Sequence, residues 1–225
     1  MKNINRRTAI KTVLAGGAAL AVSGVSAQSK QSKKNVPAPL KGNIRHSVSK
    51  GCFGNYALGE FCKICKRIGI ESVELLDPKD WSIVQQNGLT VAMAQGAGLG
   101  IDRAFNDPSL HDELVKSYEE VIPQVAAAGL TNLICFAGKR NGVTDLQGWE
   151  NCEKGLKRIL PIAEKHNVVL TMELLNSVGH KDYLCDHTVW GVELCRRLGS
   201  PNVKLLYDIY HMQIMEGNII ENINR

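Results

Sequence analysis

The stretch RLGSPNVKLLYDIYH, residues 197–211, contains one complete unit of the pattern that decides the fold. A helical pattern ends at Gly199, an apolar run begins at Val203, and that run leads directly into Asp208. A glycine just past a helix supplies the left-handed conformation that ends it, and a short apolar run after it is typical of a buried strand. The unit therefore predicts a helix, a turn and a strand, with a carboxylate where the strand ends.

The same unit recurs along the chain. Helical patterns end at Gly or Asn before short apolar runs in RIGIESVEL, QQNGLTVAMA, AAGLTNLICF and EKHNVVLTMEL. Together with IRHSV, these joints predict six strands, near residues 44–48, 71–75, 89–94, 131–137, 168–173 and 203–207. Continuous apolar strands that alternate with amphipathic helices indicate a parallel sheet covered by helices.

Two α/β architectures fit this alternation, a doubly wound sheet and a barrel. The GAGLG run at residues 96–100 resembles a dinucleotide fingerprint only weakly, because no helix follows it directly and no acid ends the next strand. Polar residues at several strand ends favour a barrel, whose sites lie at that rim: Glu74, Gln95, Lys139, Arg140, Glu173 and Asp208. We predict a (β/α)8-type TIM barrel of which this chain holds about six βα units.

The N-terminal segment has a different character. Residues 1–27 combine a basic start, a modestly apolar stretch and small residues before Ala27, which is typical of a cleaved export signal too short to span a membrane. Arg6 and Arg7 favour the twin-arginine type over an ordinary secretory signal. We therefore expect a periplasmic or exported protein without stable membrane association, with a linker at 28–42 and the barrel at 43–225.

The charge of the chain is mostly a property of that signal. Residues 1–27 hold four of the 27 basic residues and none of the 22 acidic ones, which leaves a net charge of +1 on the rest. Binding to a nucleic acid needs clustered cations that contact phosphates. The composition therefore predicts no nucleic-acid partner, and it leaves a homo-oligomer open.

The seven cysteines fall inside apolar patterns. Cys62 and Cys65 form a C-x-x-C pair, but both lie on the apolar face of a helical pattern and no second pair follows at zinc-site spacing. We interpret them as packing residues in a protein that folds before export.

Two strands end on carboxylates. Glu173 ends VVLTMEL and Asp208 ends VKLLYD, and neighbouring strand ends lie about 5 Å apart. Buried charges need a cation, hydrogen bonds or water, so one Mg²⁺ or Mn²⁺ ion could bridge both. The alternative is that they cap neighbouring loops or pair with Lys181 or Lys204.

Longer motifs surround these carboxylates and resemble a known family. They are HSVSKGCF (46–53), ICFAGKRNGVTDLQGWENCEKGLKRILPIAEK (134–165), TMELLNSVGHKDYLCDHTVWGVEL (171–194) and VKLLYDIYHMQIMEGN (203–218). From residue 42 to residue 225, the chain is similar to the hydroxypyruvate isomerase family of xylose-isomerase-like TIM barrels.

The resemblance implies roles for individual residues. Glu173 matches the metal-binding glutamate that also transfers protons, and Asp208 matches the metal-binding aspartate. His211 matches a histidine that contacts substrate oxygens rather than the ion. Glu74 lies where the family often has a polar pocket residue. His180 and His187 are expected to be hydrogen-bonded or exposed.

The chain departs from the family pattern at its end. The family's remaining two metal ligands lie on the seventh and eighth strands, beyond the six predicted here. We therefore expect an incomplete ligand set, open edges at the first and sixth strands, and no isomerase activity from these 225 residues alone.

The resemblance implies a metal-dependent isomerase that interconverts hydroxypyruvate-like keto acids or ketoses with their aldehyde isomers by enediolate proton transfer. The alternatives are a sugar epimerase of the same superfamily and a non-catalytic sugar-binding protein. An endonuclease-like barrel is disfavoured by the near-neutral charge of residues 28–225.

Overall fold

The computed structural model describes residues 44–224, so the predicted signal at 1–27 and linker at 28–42 lie outside the described residues. Five strands are present: β1 (Ser47–Ser49), β2 (Ser72–Glu74), β3 (Asn132–Cys135), β4 (Val169–Glu173) and β5 (Val203–Leu206). The helices are α1 (Leu58–Arg67), α2 (Pro78–Gln86), α3 (His111–Ala127), α4 (Asp145–Lys165), α5 (Thr188–Leu198), α6 (Ile209–Met215) and α7 (Ile219–Asn224). Short 3₁₀ turns lie at Lys50–Phe53 and Pro108–Leu110.

All strand pairs are parallel. β1 pairs with β2, and β3, β4 and β5 form a second sheet in that order. In β4 and β5, Glu173 lies opposite Leu206, so the two strands end at the same edge. This order and the helices between the strands are those predicted from the recurring unit.

The predicted third strand, residues 89–94, is not a regular strand. It makes only single bridges, from Thr90 to Ser72 and from Ala94 to Leu76 and Leu133. The irregularity lies at Ala92, whose N–H donates to the Ser72 hydroxyl at 2.7 Å and whose carbonyl accepts from the Asn132 amide at 2.8 Å. Side chains here replace backbone partners, and the segment still connects β2 to β3.

Helices pack against the sheet through apolar residues. α5 approaches β5 so closely that a Cβ on Gly191 would lie 2.9 Å from the Leu205 side chain, which explains the glycine inside this helix. The core between helices and strands includes fully buried residues from each layer: Tyr118, Leu133, Leu156, Ile159, Leu170, Met172 and Leu194. Within residues 44–224, no helix is long and apolar enough to cross a membrane.

The cysteines are all free thiols. Cys62 and Cys65 are buried on α1, and burial raises the pKa of both thiols. A thiol with a raised pKa is a poor nucleophile, so this geometry agrees with the predicted packing role.

Candidate active site

Three of the predicted site residues meet at the carboxyl ends of β4 and β5. One ligand atom each from Glu173, Asp208 and His211 lies within 4.8 Å of the others. Glu173 is the last residue of β4, and Asp208 follows the end of β5. Because the two strands are paired in register, their ends bring the carboxylates to one place. The structure therefore gives the geometry that a shared ion would require.

Asp208 and His211 are held by the first turn of α6. Asp208 is the N-cap residue, and its Oδ1 accepts from the His211 N–H at 3.1 Å. Its other oxygen, Oδ2, lies 3.7 Å from His211 Nε2. The spacing of three residues thus has a local cause, since an N-cap side chain reaches the N–H of the third helical residue. One strand-to-helix turn positions both groups.

The carboxylate of Glu173 is largely buried and lies near two other carboxylates. Its pKa is raised to about 7, first by burial and then by the charges of Asp208 and Glu74. Within residues 44–224, no ion pair or hydrogen bond to its carboxylate accompanies this burial. A half-buried carboxylate beside two others, without a cation, favours either a proton or a bound metal ion.

The alternative prediction, in which these acids cap neighbouring loops or pair with lysines, is correct in one respect. Asp208 does cap the adjoining helix, as a structural carboxylate would. Among the described residues, however, neither Glu173 nor Asp208 forms an ion pair with Lys181 or Lys204. Capping occupies one oxygen of Asp208 and leaves Oδ2 directed towards the cluster.

Glu74 lies at the end of β2 and faces the same space at longer range. Its charge is the smallest of the three contributions that raise the pKa of Glu173, and it is outside the group of three close ligands. The next residue, Leu75, has a left-handed φ of 57°, a strained conformation for a branched side chain. The role of Glu74 at a pocket wall stays a prediction.

The other predicted rim residues do not join the cluster. Lys139 pairs with Asp102 at 2.8 Å, and Arg140 pairs with Asp145 at 2.7 Å. Gln95 reaches Asp77 at 3.4 Å. Their polar groups are used locally, which the sequence pattern could not reveal.

Burial and a neighbouring imidazole disfavour the charged form of His211. Its side chain is 11% exposed, its Nδ1 is bonded to the Asn176 amide, and the His180 ring lies edge-on with centroids 5.3 Å apart. Burial lowers its pKa, the Asp208 charge opposes this, and His180 lowers it further. A neutral imidazole offers one donor and one acceptor. His187, by contrast, bonds Asp186 at 2.7 Å, as expected for a hydrogen-bonded histidine.

Two residues of the loop after β4 were missed by the sequence interpretation. Asn176 bonds His211, and the Tyr183 hydroxyl donates to the Glu173 carbonyl at 2.9 Å while it accepts from the Ala137 N–H at 3.1 Å. Tyr183 thereby fixes the end of β4 to the segment after β3. The one available signal was position, because both lie within the quoted motif that begins at Thr171.

The donor set fits a hard divalent cation. Two carboxylates with unused oxygens lie next to each other, and Mg²⁺ and Mn²⁺ prefer oxygen ligands. A carboxylate with a pKa of about 7 is also matched to proton transfer at neutral pH. The arrangement can therefore combine charge stabilisation with general base chemistry.

Comparisons with known proteins concern the family and the fold of the chain. A family model described as a xylose isomerase-like TIM barrel matches residues 62–225. The chain is 23% identical to an L-ribulose 3-epimerase of Methylomonas sp. over 171 residues, which is 70% of this chain and 58% of that protein. It is 26% identical to the hydroxypyruvate isomerase of Escherichia coli over 113 residues, which is 50% of this chain and 44% of that protein.

A crystal structure described as an AP endonuclease, family 2, from Brucella melitensis has the same fold. Its TM-score is 0.72 at 20% identity, covering 80% of this chain and 74% of that one. At such identity the likeness speaks for the fold alone. The chain spans about half the length of the two curated relatives that it matches.

Proposed function

The chain belongs to the xylose isomerase-like TIM barrel family, and from this premise we propose that the protein is a metal-dependent isomerase of small hydroxy-carbonyl compounds. The substrates are hydroxypyruvate-like keto acids or ketoses, which it interconverts with their aldehyde isomers. The activity is assigned to the whole protein, since this chain covers only part of its curated relatives.

The observation that carries the proposal is the pair of neighbouring carboxylates at the ends of β4 and β5, neither of which has a lysine or arginine partner within residues 44–224. Glu173 serves as the base that removes the proton next to the substrate carbonyl. In the metal-free site, burial and the neighbouring carboxylates raise its pKa to about 7. The electron pair of that C–H bond becomes the double bond of an enediolate. Return of the proton to the neighbouring carbon completes the isomerisation.

Glu173 and Asp208 are the residues that would hold a divalent ion, with Mg²⁺ or Mn²⁺ the best match to their oxygens. When bound, such an ion polarises a carbonyl and lowers the cost of developing negative charge on its oxygen. Asp208 contributes Oδ2, because its Oδ1 is used by the α6 N-terminus. His211 binds a substrate oxygen from the neighbouring side, and Glu74 lines the pocket beyond it.

Epimerisation of a ketose is the second candidate. It starts with the same proton removal and differs in returning the proton to the opposite face of the same carbon. The match to the L-ribulose 3-epimerase is longer than that to the hydroxypyruvate isomerase, 171 against 113 residues. Because the match to the epimerase is the longer one, epimerisation is tested alongside isomerisation.

Proton exchange in D₂O tests both candidates. The metal-free whole protein is incubated with hydroxypyruvate or with a panel of pentuloses and hexuloses, with and without Mn²⁺. We expect deuterium in the C–H bond next to the carbonyl only when Mn²⁺ is present, and product analysis then separates isomer from epimer. Saturable substrate binding without any exchange would overturn the proposal in favour of a binding protein.

We also propose that the protein is exported through a twin-arginine signal, on the basis of Arg6 and Arg7, which lie outside the described residues. Replacing both with lysine should abolish export and leave folding intact. Unchanged periplasmic accumulation of that double variant would assign the signal to the ordinary secretory class.

A further inference from the structure

Asn176 is a buried polar residue next to the site to which the reaction above gives no role. It follows Glu173 in the motif MELLN and is only 2% exposed. Its side chain touches two groups, the backbone N–H of Gly179 at 2.6 Å and Nδ1 of His211. Its own carbonyl accepts from the His180 N–H at 3.0 Å, so the turn that carries it is fixed at both ends.

These contacts determine which way the amide points. The Gly179 N–H is a donor, so the atom that it meets must be the amide oxygen. The amide nitrogen therefore faces His211, and Nδ1 of the imidazole must accept that bond. In a neutral imidazole whose Nδ1 accepts, the proton resides on Nε2.

Nε2 is the ring nitrogen on the side of Asp208, at 3.7 Å from its Oδ2. With its proton there, His211 can donate a hydrogen bond but has no lone pair to offer an ion. The opposite tautomer would place a lone pair on Nε2, beside Asp208, and would make His211 a third ligand in the group that it forms with Glu173 and Asp208.

We propose that Asn176 is a positioning residue that holds His211 as the Nε2–H tautomer. It thereby makes His211 a hydrogen-bond donor to a substrate oxygen and keeps it out of the metal coordination sphere. The second half of this statement rests on the proposed function, whereas the tautomer itself does not. Replacing the amide by a carboxylate should reverse the arrangement, because a carboxylate only accepts and so draws the proton to Nδ1.

The test is ¹⁵N NMR of the histidine-labelled, metal-free protein at pH 8, where the two neutral tautomers have different ring nitrogen shifts. The His211 signals are assigned by their loss in His211→Gln. We expect the wild type and the control Ser177→Ala to carry the proton on Nε2, and Asn176→Asp to carry it on Nδ1. A wild-type His211 protonated on Nδ1 overturns the proposal, whether or not any variant folds.

Two further measurements show what the tautomer does. Asn176→Asp should bind Zn²⁺ or Co²⁺ at least 10-fold more tightly than the wild type, because Nε2 becomes a ligand, and its kcat should fall by about 10–100-fold. Unchanged metal affinity and kcat alongside a reversed tautomer would refute the positioning role. If the tautomer is as proposed but no substrate reacts, the proposed function fails while the role of Asn176 in fixing the ring stands.

Discussion

Two neighbouring parts of the same rim differ in whether their charged side chains have partners of opposite charge. After β3, Lys139 and Arg140 each meet an acid within 2.8 Å, and these pairs are largely exposed to water. After β4 and β5, Glu173 and Asp208 lie close to each other, with Glu74 at longer range, and burial and these charges raise the pKa of Glu173 to about 7. In the first region, which we call the balanced region, the charges of Lys139 and Arg140 are compensated by neighbouring acids. In the second region, within residues 44–224, neither carboxylate has a lysine or arginine partner.

This difference separates surface ion pairs from a candidate site. Exposed pairs add little to stability, and they need no function to explain them. Clustered carboxylates without a counter-charge cost free energy, and such costs concentrate where chemistry is done. Variants of either region test whether this contrast holds.

The largest effect is expected on activity. Glu173→Gln keeps the shape of the side chain but cannot accept a proton, so proton exchange of the active substrate should fall by roughly 10²–10⁴-fold. The matched control is Asp145→Asn, which changes the same charge in the balanced region and should leave the rate unchanged. Equal losses in both variants would contradict the assignment of Glu173 as the base.

The next effect is on stability. In the metal-free protein the pKa of Glu173 is about 7 in the folded state, above its ordinary 4.5, so the folded state binds the extra proton between these values. Stability should therefore fall as pH rises through this window, and the cost above pH 7 is at most about 3 kcal/mol. Glu173→Gln should be the more stable protein in urea with chelator at pH 8, and equal to wild type near pH 4. Parallel pH profiles for the two proteins would argue against the raised pKa.

Asp208 should separate capping from metal binding. Asn is as good an N-cap as Asp, so Asp208→Asn should keep the stability of α6 but weaken Mn²⁺ binding, whereas Asp208→Ala should also lose about 1 kcal/mol. Asp107 caps the turn before α3 and serves as the control. Asp107→Ala should lower the free energy of unfolding, measured in urea, and should leave the Mn²⁺ affinity unchanged, measured by metal titration. Retained Mn²⁺ affinity in Asp208→Asn would leave this carboxylate a cap only.

The smallest effect is expected in the balanced region. Arg140→Met removes a pair whose side chains are 31% and 53% exposed, and it should cost less than about 1 kcal/mol in urea. A larger loss of stability, or any change in Mn²⁺ affinity, would contradict the distinction between the two regions.

The sequence identified the residues that depend on strand ends. Glu173 and Asp208 were predictable because the residue at the end of a buried apolar strand lies at the rim. His211 was predictable from its motif and from its place in the first turn after Asp208. The irregular segment at 89–94 was not predictable, since it depends on the Ser72 and Asn132 side chains replacing backbone partners. These contacts join residues that are distant in sequence.

The same limit explains the missed loop residues. The bond from Asn176 to His211 joins residues on different elements, and so does the bond from Tyr183 to Ala137. Pattern and spacing carry no information on such pairs, nor on which rim cations already have partners. The family resemblance supplied roles for Glu173, Asp208, His211 and Glu74 but not the contacts that hold them.

Manganese stoichiometry of the whole protein tests the central claim most directly. Metal-free wild type, Glu173→Gln and the control Asp145→Asn are titrated with Mn²⁺ at pH 8, with bound ion counted by electron paramagnetic resonance. We expect one bound ion per chain for wild type and control, and loss of that ion in Glu173→Gln. One ion bound equally well by Glu173→Gln, or no stoichiometric ion in wild type, would contradict it.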